Sequence, residues 1–188
     1  MGVDVTDLLL ALLGTPCGGT EFMSRALART GLDVGHEHPG EHGISCGWFM
    51  WSAARWAWDR FSFEHAWRIY RDPLRVLETL PAYVGPRTLH GRPPLWAHED
   101  PQVAALRRWV LTHELIEPDA EHTVRVGEPA FGDDWRRLCN ALGRPVVLLD
   151  DLGGTRKPTR WPRPSWGDLE AWDAEYHDRA RKLVEVYG

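Results

Sequence analysis

The chain has 188 residues, 43% of them hydrophobic and 26% charged, with a formal net charge of -5, which fits one globular core over residues 1–188. A mildly acidic surface argues against a general grip on nucleic acid or an anionic membrane, so any anion site must be local. Three cysteines far apart, Cys17, Cys46 and Cys139, argue against a disulfide framework or a cysteine zinc site and fit a reducing, cytoplasmic compartment.

In chain order, the first apolar run, Leu8–Leu13, follows Asp4 and Asp7 and is too short to cross a bilayer, so it reads as a buried strand with no membrane insertion. A helix is expected from Gly19 to Thr30, with Phe22, Met23, Ala26 and Leu27 on one face and Gly31 as its stop. Strands are expected at Leu32–Gly35 and Ala66–Tyr70, on either side of a His- and Glu-rich loop, "VGHEHPGEHG", and a tryptophan-rich stretch, Gly47–Phe63. That stretch is aromatic on more than one helical face; burial against the sheet is expected for most of it, with part lining a cleft. Asp100 and Pro101 open a helix carrying Val103, Leu106 and Val110 inward. A strand at Thr123–Val126, a helix through Phe131, Trp135, Leu138 and Leu142 ended by Gly143, and a strand at Pro145–Leu149 follow. Beyond a linker-like stretch, Gly153–Pro164, Ser165 and Asp168 form a capping box before a last helical segment with Leu169, Trp172, Tyr176, Leu183 and Tyr187 as its apolar positions. Alternating strands and helices imply an α/β fold, a single-domain three-layer α/β/α arrangement on a mostly parallel sheet of about five strands.

The loop "GTPCGGT", between the first strand and the first helix, gathers backbone N–H groups at the positive end of a helix dipole, which suits a phosphate or sulfate. It does not match GxxxxGK[ST], and a plain strand-to-helix turn is its simpler reading. Arg71, at a strand's carboxyl end, can pair with a phosphate or with a carboxylate such as Asp72; Thr79, about two turns into the following helix, can add a hydroxyl or lie on the surface. His36, Glu37, His38, Glu41 and His42 lack the spacing of a metal site, and no metal is expected. "RKPTR", with Arg156 and Lys157, is the densest basic cluster.

The loop residues Gly14, Thr15, Pro16, Gly19 and Thr20, together with "YRDPLRVLETL" around Arg71, Asp72, Pro73 and Thr79, resemble the sulfotransferase family. "HTVRVGEPAFGDDWRRLCNALG" and the terminal "SWGDLEAWDAEYHDRARKLVEVYG" are similar to later parts of that family. The resemblance implies a P-loop NTPase-like fold and transfer of a sulfuryl group from 3′-phosphoadenosine-5′-phosphosulfate to a hydroxyl or amine of a small-molecule or glycan acceptor. It implies that Gly14, Thr15, Pro16, Cys17, Gly18, Gly19 and Thr20 hold the 5′-phosphosulfate, and that Arg71 and Thr79 hold the 3′-phosphate. Arg156 and Lys157 would close over that phosphate, and Glu37, or alternatively His36, would take the acceptor's proton. Cys17 stands where the family has Arg or Lys, which removes a cation that steadies the leaving oxygen. A non-catalytic nucleotide-binding module and a small-molecule kinase are the competing expectations, the latter lacking a loop lysine.

Overall fold

The computed structural model describes residues 6–47, 61–84, 95–116, 122–150, 152 and 161–188. Among these, five strands form one sheet: β1 (Thr6–Leu13), β2 (Val34–His36), β3 (Gly43–Cys46), β4 (Phe61–Tyr70) and β5 (Thr123–Arg125). Their spatial order is β2-β3-β1-β4-β5, and every neighbouring pair is parallel. The described helices are α1 (Thr20–Ala28), α2 (Pro73–Val76), α3 (Pro101–Leu115), α4 (Phe131–Ala141), α5 (Trp166–Trp172) and α6 (Ala174–Tyr187). The fold is α/β, as the alternation of elements implies.

The period of two along each strand divides the core between the sheet's faces. Leu10 and Leu12 of β1 join Trp67 and Ile69 of β4 and Val124 of β5 against Met23, Ala26 and Leu27 of α1 and Trp135 and Leu138 of α4. The intervening residues Ala11 and Leu13 meet Ile44 and Cys46 of β3, while Tyr70 packs with α3, α5 and α6. Helices therefore lie on both faces, which a parallel sheet requires.

Local chemistry sets the helix boundaries. Asp100 accepts from the Gln102 amide with Pro101 at the first position of α3, and Ser165 and Asp168 form the expected reciprocal cap of α5. Asp173, with an extended φ of -163°, breaks the last helical segment into α5 and α6 and caps the second. Asp134, fully buried in α4, accepts from the Arg125 amide at 3.0 Å, from its Nε at 2.8 Å and from Arg137, tying α4 to β5. Burial pushes that carboxyl upward, but the hydrogen bonds from Arg125 and Arg137 outweigh it and hold the pKa below its ordinary value.

Two strand expectations change. Pro145–Leu149 is not a strand: Val146 is 49% and Leu148 83% exposed, and only Val147 and Leu149 touch the core. The fifth strand is instead β3, which begins at the last residue of the His- and Glu-rich loop and lies between β2 and β1. Residues 48–60, most of the tryptophan-rich stretch, lie outside the described residues.

Candidate functional site

The chain leaves β1 towards β2 on one side of the sheet and leaves β4 towards β5 on the other, so the loops after β1 and β4 diverge. A crevice at the carboxyl ends of the strands, at such a reversal, is where open α/β sheets bind ligands. The glycine-rich loop and Arg71 meet there.

The Gly14 amide donates to the Cys46 carbonyl at 3.2 Å, and the Gly18 amide turns back to the Thr15 carbonyl at 2.9 Å. A Cβ on Gly18 would lie 2.8 Å from both the Thr15 carbonyl oxygen and Thr15 Oγ1, so the turn closes only around glycine. Cys17 has φ 66° and Gly19 φ 110°; a left-handed residue at each fits the concave backbone of an anion nest. Gly19, at the N-cap of α1, has no side chain with which to cap the first amides of the helix. Thr15 is buried, and its Oγ1 has no hydrogen-bond partner among the described residues.

Beside the loop, Thr20 Oγ1 lies 3.2 Å from His36 Nε2, which in turn lies 3.4 Å from Glu37 Oε1. Glu37 follows β2 directly, has φ 62°, and accepts from the Gly47 amide at 3.2 Å through Oε1. The left-handed conformation of a glutamate costs of order 1–2 kcal/mol, and such outliers collect at functional sites. The two acid–base candidates are thus brought to the loop and to each other. Of the other ionisable residues of this stretch, His42 Nδ1 accepts from the Asp33 amide, the Glu41 backbone amide donates to Asp33, and His38 Nδ1 lies 3.3 Å from the Pro39 carbonyl oxygen. Among the described residues no group of three or more His, Cys, Asp or Glu is set to hold a metal ion.

Arg71 Nη1 donates to the Cys17 carbonyl at 3.0 Å. Burial first, and then the neighbouring Arg75 guanidinium, lower the pKa of Arg71, with Cys17, Glu78 and Glu128 opposing. Asp72 is engaged as the N-cap of α2, accepting from the Arg75 amide at 3.1 Å. Thr79 departs from its expected setting: α2 ends at Val76, and Thr79 precedes a 3₁₀ turn, Leu80–Tyr83, its hydroxyl donating to the Val76 carbonyl at 3.3 Å. Pro81 is consistent with this, because it has no N–H to donate back to Leu77 and its ring would crowd that carbonyl if the α-helix ran on through it. Arg156 and Lys157 lie outside the described residues.

Sequence reasoning passed over Arg75 and Gly127. A Cβ on Gly127, φ 81°, would lie 3.9 Å from Arg71 Nε and 3.8 Å from Arg75 Nη1, which places both guanidinium groups at the end of β5. The i,i+4 spacing of the two arginines was the available signal. The Cys17 side chain packs against the cluster of Tyr70 and Val76.

Among the described residues no helix is long and apolar enough to cross a membrane. No protein-family model matches the chain, and no curated protein and no solved structure matches it either.

Proposed function

We propose that the chain is a sulfotransferase that moves the sulfuryl group of 3′-phosphoadenosine-5′-phosphosulfate to a hydroxyl or amine of a small-molecule or glycan acceptor. The observation that supports this reading most is the meeting of the left-handed glycine loop, the amino end of α1 and the Arg71 guanidinium at the carboxyl ends of β1 and β4. An anionic leaving group there meets backbone amides, a helix dipole and a cation together.

In this reading the acceptor oxygen attacks sulfur in line while its proton passes to Glu37. The new O–S bond forms as the bridging bond to the 5′-phosphate breaks, and that phosphate leaves with the electron pair. Glu37 is held for this by the Gly47 amide, and His36 bridges it to Thr20 at the start of α1. Water must be kept from the sulfur, and the tryptophan-rich stretch is the part of the chain suited to that by composition.

Titration with adenosine 3′,5′-bisphosphate, read as a shift in melting temperature, tests the reading. A ligand at one hundred times its Kd stabilises the folded state by about 2.7 kcal/mol. No shift at millimolar ligand overturns it. Binding without transfer to any acceptor favours the non-catalytic module, which the uncharged Cys17 position supports; a shift with ATP and magnesium alone favours the kinase.

A further inference from the structure

We propose that Arg71, backed by Arg75, supplies the cation of the glycine-rich loop and so binds the 5′ end of the donor; this rests on reading that loop as the phosphosulfate site. Gly14–Thr20 contains no Lys, Arg or His, so an anion seated in it needs its countercharge from another part of the chain. Arg71 is fixed to the loop itself, through the Cys17 carbonyl at 3.0 Å, and its buried Nε has no hydrogen-bond partner among the described residues. Arg75 Nη1 and Arg71 Nε approach the same position beside Gly127, and among the described residues no carboxylate pairs with either guanidinium. Two like charges brought together in this way repel each other, which an anion between loop and arginines relieves.

A second, independent feature points into the same turn. Thr15 is 1% exposed, and its unpartnered Oγ1 faces the position a Gly18 side chain would occupy. A buried hydroxyl left without a partner costs free energy unless something completes it, and an anion oxygen accepts from a hydroxyl readily. Glu128, whose Oε1 is also buried without a partner, lies close enough to Arg71 to raise its proton affinity and competes with the anion for it.

The resemblance instead assigns Arg71 to the 3′-phosphate, and two monophosphates separate the assignments. Affinities for adenosine 5′-phosphate, adenosine 3′-phosphate and the 3′,5′-bisphosphate are measured by calorimetry on the full chain and on Arg71→Ala, Arg71→Lys and Arg75→Ala. Arg71→Ala is expected to weaken the 5′-phosphate and the bisphosphate by about tenfold to a hundredfold, the range for a hydrogen bond to a charged partner, and to spare the 3′-phosphate. Arg71→Lys should recover part of the loss. Arg75→Ala, an exposed position that tolerates change, should weaken the same two ligands by about two- to fivefold, and it decides the matter if Arg71→Ala does not fold. Loss of 3′-phosphate affinity, alone or to an equal degree, overturns this inference and leaves the proposed function standing, as does unchanged affinity for all three ligands. Failure of the unmodified protein to bind the bisphosphate overturns both.

Discussion

Arg68 and Arg71 stand at the same end of β4, yet the protein uses them differently. Arg68 is 1% exposed and engages the end of α3, donating from Nη1 to the His113 carbonyl at 2.9 Å and from Nη2 to the Ile116 carbonyl. Its guanidinium lies 3.5 Å over the Tyr187 ring, so one cation joins the sheet, the carboxyl end of α3 and the last turn of α6. Burial lowers its pKa to about 10 against the raising effect of Tyr187, and it stays charged at neutral pH. Arg71 is half-buried and, among the described residues, makes one hydrogen bond, to the loop, which leaves its other donors for a ligand. A fully buried arginine with both terminal nitrogens on backbone carbonyls is a fold element, whereas a half-buried one held by a single hydrogen bond has donors left to bind with.

The largest expected effect lies on the open side of this comparison. Glu37→Gln keeps the shape and the carbonyl that accepts from Gly47 but removes the base, so transfer should fall by about a hundredfold to ten-thousandfold while melting temperature and bisphosphate affinity hold. Transfer assayed with donor and a panel of hydroxyl and amine acceptors measures this. Retained activity would move the role to His36.

On the closed side, Arg68→Met should destabilise the fold by about 2–4 kcal/mol, because the His113 and Ile116 carbonyls lose a charged donor. Urea unfolding reads that value. The midpoint should shift with no change in ligand affinity, whereas Arg71→Ala should do the reverse; equal stability losses for the two would erase the distinction.

How far the sequence carried these assignments depended on whether a residue's setting is local. The capping residues Asp100, Pro101, Ser165 and Asp168 act within one turn, and the first helix and its glycine stop follow from periodicity, so these were legible. β3 was not, because four residues, Gly43–Cys46, owe their burial to pairing with β1 and β2 rather than to any pattern of their own. The reverse error, Pro145–Leu149, is an apolar run that pairs with no strand among the described residues. In the site, Arg71 at a strand end and Glu37 after β2 were readable from position. The contact of Arg71 with Cys17, the burial of Thr15 and the meeting of Arg75 with Arg71 at Gly127 depend on strand order, which no local pattern encodes.

A smaller effect distinguishes the same two regions by pH. His113, behind Arg68, is buried with neither ring nitrogen partnered among the described residues, and burial, with Arg68 adding to it, lowers its pKa from 6.5 to about 3. The unfolded chain therefore binds more protons than the folded one between those values. Stability from this group is complete above about pH 6.5 and falls as pH drops towards 3, by at most about 1.4 kcal/mol per unit. Unfolding at pH 7, 6 and 5 should show that slope, and His113→Phe, which keeps a ring beside Trp109 and Tyr70, should flatten it. An unchanged slope in the variant would assign the acid sensitivity to other groups.

The smallest expected effect concerns Cys17, where a cation is missing from the loop. If Arg71 already neutralises the anion, a second guanidinium from Cys17→Arg meets charge that is largely compensated, and its side chain must also leave the packing against Tyr70 and Val76. Affinity for adenosine 5′-phosphate should then rise by less than about threefold, the scale of an exposed ion pair. In the Arg71→Ala background the same substitution has no such competitor and should restore much of the lost affinity, because it returns a bidentate donor to the loop. The double-mutant cycle is therefore decisive: two changes at one charge site are non-additive, and changes at separate sites add. Strict additivity would place Arg71 and residue 17 on different parts of the ligand and leave the loop without a cation of its own.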